Sequence, residues 1–339
     1  MAAALQLGQR VGMGCAGRSG ARAPCNDAVR CAPLARDGFG EDAARTVARA
    51  QEQDVEGTIR HRLRLALADN GFKNQDVHIV EQLIAERAPK LIESGYFPLV
   101  RPALYRMLAY DAAVFLADAI RPLTGRQAFE LVARHLQVRA AVAGLHNVPR
   151  QGAAIVIANH PTGLADGLAV FEALRQRRPD HCYLANADAL RVIPGAGDII
   201  IPVEWRHDKR TRSKSKQTLL ALREAIDAER LIVIFPSGRL AYLGWRGLVE
   251  RPWESSAFML ASRYKVPIIP LRIRARNSPL YYGFSRINTE LRDITLFREM
   301  LNKKRHVFRL DFGEPIPASA LPDSADDASA FVRRAVMRL

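Results

Sequence analysis

The apolar positions of the chain change their period once, near residue 137. From about Asp42 to His135 they recur at helical spacing. Val77 to Ile92 predicts one amphipathic helix with Pro89 as an interruption, and Leu104 to Ile120 a second, on which Asp111 and Asp118 share a face. Thr124 with Gln127 three residues later has the form of a capping box and opens a third. Such helices form either a packed layer or one that docks on a membrane. Beyond Gln137, short apolar runs alternate with helical stretches. Strands are expected at Val138–Ala143, Ala154–Ala158, Tyr183–Ala185, Ile199–Val203, Leu231–Phe235 and Val266–Ile273, and helices at 164–177, near 216–228 and near 253–264. This alternation predicts an α/β fold with a mostly parallel central sheet flanked by helices, preceded by an N-terminal helical region. The expected division is a disordered leader over 1–41, a helical region over 42–136, a catalytic-size domain over 137–320 and a C-terminal helix over 321–339.

Charge narrows the partners. The 339 residues carry a formal net charge of +15, which points to an anionic partner: an acidic membrane surface, an acidic substrate or nucleic acid. The longest apolar candidate, Ala103 to Ile120, contains Arg106, Asp111 and Asp118, so a spanning helix is not expected. Cys15, Cys25, Cys31 and Cys182 match no zinc spacing and suggest no disulfide framework, which favours a reducing compartment. Residues 1–36 hold five Arg, no Lys and one acid, Asp27; a transit peptide, a disordered leader and an early start codon all fit.

The stretch that carries chemistry is Ala154-Ile-Val-Ile-Ala-Asn159-His160-Pro161-Thr162-Gly163-Leu-Ala-Asp166. Pro161 disfavours helix at His160, which places the histidine at the carboxyl end of a strand, where open α/β sheets bind ligands. Gly163 permits a sharp turn, and Asp166 falls in the first turn of the following helix. A strand–turn–helix folds the two side chains back on each other, the carboxylate orienting one ring nitrogen and leaving the other as a base. Phe235-Pro236-Ser237-Gly238-Arg239 ends another apolar strand. Its backbone amides and the Arg239 fork suit a phosphate or carboxylate. Ser237 invites an esterase reading, but Phe235 stands where a nucleophile elbow needs glycine. Arg206 to Lys216 holds six basic residues in eleven, a solvated loop or a collar for anionic lipid or an acidic carrier protein. With Lys303-Lys-Arg305 and Arg272, Arg274 and Arg276, it is a candidate for one basic patch.

Taken in order, Asn159-His160-Pro to Asp166-Gly167, Ile200-Ile-Pro202-Val203, Phe235-Pro-Ser-Gly-Arg239 and Val266-Pro-Ile-Ile-Pro270 resemble the four blocks of the glycerophospholipid (lysophospholipid) acyltransferase superfamily. Arg276-Asn-Ser-Pro-Leu-Tyr-Tyr282, Leu301-Asn-Lys-Lys-Arg305 and Phe312-Gly-Glu-Pro-Ile316 are similar to its haemolysin-like subgroup, which includes ornithine-lipid O-acyltransferases. The resemblance covers roughly residues 138–318. It implies transfer of a fatty acyl group from an acyl-carrier protein or coenzyme A thioester to a lyso-lipid hydroxyl, with no cofactor and no metal. On this reading His160 is the base and Asp166 its support, while Asn159, Thr162, Gly163, Pro202, Phe235, Pro236, Ser237, Gly238 and Arg239 bind substrate. The backbone amides near Gly238 are candidate oxyanion donors. Expected partners are the thioester, the lyso-lipid and an anionic membrane surface, with no nucleic acid, at the cytoplasmic face of the inner membrane. The chain departs from the common pattern in three places. Five residues, not four, separate His160 and Asp166; Ser237 replaces a glutamate with Arg239 directly after the glycine; and Val203-Glu204-Trp205 replaces a block that often ends in arginine. The first is shared with the haemolysin-like subgroup; the last two alter the expected acceptor contacts and make lyso-ornithine lipid competitive with lysophosphatidic acid as acceptor. A non-catalytic binder of anionic lipid or nucleic acid, and an esterase using Ser237, are the alternatives.

Overall fold

The computed structural model describes residues 77–204, 211–245 and 247–339. The expected leader, the start of the helical region, Cys15, Cys25, Cys31, Trp205 and residues 206–210 of the basic run lie outside these residues.

Five helices come first: α1 (Ile79–Arg87), α2 (Pro89–Ile92), α3 (Phe97–Met107), α4 (Tyr110–Ile120) and α5 (Gly125–Leu136). Pro89 interrupts the first pattern as expected and starts α2. The single helix expected over Leu104–Ile120 is instead two. Ala109 adopts a left-handed backbone (φ 54°) that breaks it, a conformation the apolar pattern does not register. At α5 the capping box is complete: the Thr124 side chain accepts from the Gln127 amide and the Gln127 side chain accepts from the Thr124 amide.

The remainder alternates strands with helices: β1 (Arg139–Ala143), β2 (Ala154–Ala158), α6 (Leu164–Leu174), β3 (Cys182–Asn186), α7 (Asp188–Val192), β4 (Ile200–Val203), α8 (Arg212–Asp227), β5 (Leu231–Ile234), β6 (Tyr242–Gly244), β7 (Gly247–Val249), α9 (Ser256–Tyr264), β8 (Ile268–Arg274), α10 (Pro279–Ile287), α11 (Thr289–Ile294), α12 (Leu296–Leu301), β9 (Val307–Phe312) and α13 (Ala325–Arg338). Seven strands form one sheet in the order β1-β9-β8-β2-β5-β3-β4. The five from β8 to β4 are mutually parallel; β9 runs against β8 and carries β1 parallel to itself. The small ribbon β6–β7 stands apart from this sheet.

Both faces of the sheet are covered, which is why the central strands read as unbroken apolar runs. All five residues of β2 are buried. Val156 and Ala158 face one core with α5 and α6; Ile155 and Ile157 face the other with α8, α9 and α13. At ~1.5–3 kcal/mol for each large side chain removed from water, this stack is the main source of stability. A third cluster joins α1, α3 and α4 to Ile294 of α11. The opposite side of these helices exposes Tyr96, Leu99, Val100 and Phe115. Among the described residues, no helix is long and apolar enough to cross a membrane.

Among the described residues, the members of the candidate basic patch serve different roles. Lys303 is buried, its Nζ lying 3.4 Å from Glu299 and 2.9 Å from Asn302. Arg272 and Arg274 donate to the carbonyls of Met337 and Leu339 and so hold the end of α13. Cations near the last carbonyls of a helix complement its dipole, so these arginines are spent on structure.

Candidate active site

The site begins with the register of two strands. Ile157 of β2 pairs with Ile234 of β5 in parallel, so both chains leave the sheet at one edge, carrying His160 and Phe235 out together. The two rings stack, with centroids 4.3 Å apart and an interplanar angle of 26°. Asn159 anchors the exit. Its amide nitrogen donates to the Ile273 carbonyl at 2.9 Å, and its oxygen accepts from the Ile273 amide at 2.7 Å. A side chain thereby extends the β2–β8 ladder by one rung. Both polar ends of Asn159 are committed to the backbone, so it positions His160 from below.

From His160 the chain turns back on itself. Gly163 takes φ +86°, a region L side chains rarely enter, and a Cβ there would meet Leu240 at 3.1 Å. The turn aims two amides at Asp166, in the first turn of α6. Its carboxylate accepts from the Thr162 amide at 2.8 Å, the Gly163 amide at 2.9 Å and the Thr162 hydroxyl. Asp166 is fully buried, and a buried carboxylate is tolerable only with donors of this kind. The helix N-terminus adds to them.

His160 Nδ1 lies 3.0 Å from Asp166 Oδ2. The approach is off the axis of the ring N–H, so Nδ1 is a close charge neighbour of the carboxylate without a linear hydrogen bond. Nδ1 is buried while the side chain retains 17% exposure, so the accessible part of the ring lies away from Asp166. An imidazole held this way has one nitrogen facing a fixed negative charge and the other available as a base.

The second expected block lies close by in part. The Gly238 amide donates to the Phe235 carbonyl at 3.0 Å, forming the tight turn, so this amide is not free for an oxyanion. Ser237 is buried and its hydroxyl donates to the Arg239 carbonyl at 2.7 Å, an engagement unlike that of a nucleophile. The Pro236 carbonyl accepts from Glu254, and Arg239 is exposed. Pro202 lies on the edge strand β4, separated from β2 by β5 and β3, and its carbonyl accepts from Thr218 at 2.7 Å.

Sequence reasoning did not single out Glu250. One of its oxygens accepts the His160 backbone amide at 3.3 Å, and its own carbonyl accepts from Arg333. Burial pushes its carboxyl above the usual glutamate range, against the pull of the His160 amide and imidazole. Ninety positions separate Glu250 from His160, and no local spacing announces the contact. A buried group formed by Asn277, Ser278, Glu299 and Lys303 was also missed as a unit. Burial favours protonation of Glu299, but the Ser278 hydroxyl and amide, with Lys303, hold it below the usual range. Among the described residues, no three His, Cys, Asp or Glu side chains converge as metal ligands.

An acyltransferase family profile matches residues 139–274, the span that carries β1 to β8. Two curated relatives align over 271 residues. A lyso-glycine lipid O-acyltransferase of Phocaeicola vulgatus is 25% identical, covering 77% of this chain and 94% of its own length. One of the same name from Bacteroides thetaiotaomicron is 22% identical, covering 77% and 96%. Among solved structures, the 1-acyl-sn-glycerophosphate acyltransferase PlsC of Thermotoga maritima aligns at 16% identity with a TM-score of 0.38, over 75% of this chain and 95% of that one. The ordered blocks around His160, Pro202, Phe235 and Pro270, set on one largely parallel sheet, all fall within the span 139–274 that is similar to the acyltransferase family.

Proposed function

We propose that the protein is an O-acyltransferase that moves a fatty acyl group from an acyl-carrier protein or coenzyme A thioester to the hydroxyl of an amino-acid-containing lyso-lipid. The observation that carries this reading is the buried Asp166 carboxylate, fixed by Thr162 and Gly163, 3.0 Å from Nδ1 of a partly exposed His160. The acceptor hydroxyl gives its proton to His160 Nε2 as its oxygen attacks the thioester carbonyl. The tetrahedral intermediate collapses with cleavage of the C–S bond, and the proton passes to the leaving thiolate. Asp166 stabilises the imidazolium formed between the two steps. The relatives named for lyso-glycine lipid favour an acceptor bearing an amino acid, such as lyso-glycine or lyso-ornithine lipid, over lysophosphatidic acid. Exposed Arg239, at the mouth of the Phe235 turn, suits the carboxylate of such a head group. The net charge of +15 suits a peripheral position on an anionic membrane, the cytoplasmic face being where both thioesters are available.

The test is thioester consumption by the purified protein, with acyl-carrier protein and coenzyme A donors, across lyso-glycine lipid, lyso-ornithine lipid and lysophosphatidic acid. Turnover is expected with an amino-acid lyso-lipid and is expected to fall at least a thousandfold in His160→Ala, with circular dichroism unchanged. A folded His160→Ala protein with wild-type turnover, or no transfer to any of the three acceptors, defeats the proposal.

A further inference from the structure

The ribbon β6–β7 has two exposed faces. Tyr242 and Leu243 are consecutive in a strand and point to opposite sides, yet each is 39% exposed, and Val249 across the ribbon is exposed as well. Gly244 pairs with Gly247, and Trp245 in the turn between them is fully exposed at 105%. An isolated two-stranded ribbon is marginal in water, and apolar side chains on both faces and at its tip give up the burial that would stabilise it.

The ribbon is rooted at the site. The Ala241 amide donates to the His160 carbonyl at 3.0 Å, and Leu240 packs over Gly163. Exposed Leu164 follows directly. On the other flank α10 packs against β6 and ends in exposed Ile287. Cations surround this apolar surface. The Arg251 guanidinium lies 4.5 Å from the centre of the Tyr242 ring, and Arg239 and Arg286 are exposed at the ribbon's base and on α10. Glu250, the acid that ends the ribbon, is buried beneath His160.

We propose that β6–β7 is a membrane finger: Trp245 and Leu243 enter the interfacial layer of an anionic bilayer, and the arginines at the base meet lipid phosphates. Tryptophan and tyrosine favour the boundary where an apolar ring and a polar edge are both satisfied, and arginines behind them add attraction to anionic lipid. An acidic carrier protein would match the charge but would leave the apolar tip in water. From Ala241 to Trp245 four residues of strand span ~13 Å. A tip held in the interface therefore places His160 about that far above it, within reach of an acceptor hydroxyl raised a short way from its leaflet. This last step rests on the acyl-transfer reading; insertion of the finger does not.

The experiment uses the full chain with Trp205→Phe and Trp253→Phe, which leaves Trp245 as the single indole. Vesicles of phosphatidylglycerol and of phosphatidylcholine are prepared with and without lipids brominated near the head of the acyl chain. A blue shift and strong bromine quenching with phosphatidylglycerol are expected, and Trp245→Ala in the wild-type background is expected to weaken vesicle co-sedimentation about tenfold. In the transfer assay the same variant is expected to lose about tenfold on vesicle-embedded lyso-lipid and to keep its rate on a short-chain monomeric acceptor. Emission that stays aqueous and unquenched on vesicles, or that responds only to acyl-carrier protein or to raised protein concentration, overturns the finger. Quenching without transfer to any acceptor upholds the finger and refutes the acyl-transfer reading.

Discussion

Asn159 replaces a missing rung of backbone: its one side chain satisfies both the amide and the carbonyl of Ile273, on the neighbouring strand β8. The position of His160 at the edge of the sheet depends on this pair.

Removing the pair strands two buried backbone groups. Asn159→Leu is expected to cost about 2–6 kcal/mol, at ~1–3 kcal/mol for each unsatisfied group. Its fall in acyl transfer should exceed that expected from the folded fraction alone, because His160 loses its anchor. Chemical denaturation followed by turnover under conditions where the variant is fully folded separates the two effects.

Ser237 donates its hydroxyl to the Arg239 carbonyl within its own turn. Ser237→Ala is therefore expected to retain transfer within about tenfold, losing one hydrogen bond worth ~1 kcal/mol. A trapped acyl-serine, or loss of all activity in this variant, would identify an esterase.

Glu250 is a buried carboxylate whose folded-state affinity for its proton is raised by burial. A carboxyl with a raised folded pKa contributes stability that is present below its unfolded pKa and is lost as pH rises through the folded value. Glu250→Gln keeps an oxygen for the His160 amide and removes this penalty. The variant is expected to have the higher Tm at pH 7, with the gap closing as pH falls toward the ordinary glutamate range. Thermal melts across pH 4–8 measure it.

His181 is a second, opposite titration. Burial pushes its imidazole down to about 4, and its Nδ1 lies 2.6 Å from the Arg178 carbonyl. In the folded state the ring stays neutral where the unfolded chain would already be protonated. Stability is then full above the unfolded value near 6.5 and falls as pH drops toward 4, by on the order of 3 kcal/mol. Urea midpoints across that window should show the fall, and His181→Gln should flatten it.

Elements buried on both faces announced themselves in the sequence. Val156, Ile232 and Ile269 sit in short apolar runs that read as buried strands, and the Thr124–Gln127 cap followed from its spacing. The strand–turn–helix that joins His160 to Asp166 was legible because it is local: Pro161 and Gly163 dictate the turn. Contacts between distant segments were not. The alternation Val307-Phe-Arg-Leu-Asp-Phe312 has a strand's period, but nothing in it says that it pairs antiparallel with β8. Glu250 reaches His160 only because the ribbon returns to its root. Ala109 breaks a helix through its backbone angle, a property its side chain does not encode.

Among the described strands, β1 pairs only with β9, Arg139 opposite Val307 and Ala143 opposite Asp311. On a ribosome, β1 emerges early and has no partner until most of the remaining chain has been made. The five parallel strands can assemble while that edge stays bare, and it closes only when β9 arrives. Synthesis of this protein therefore includes an interval in which an exposed strand edge is open to foreign pairing, and a chaperone would be most useful to it then.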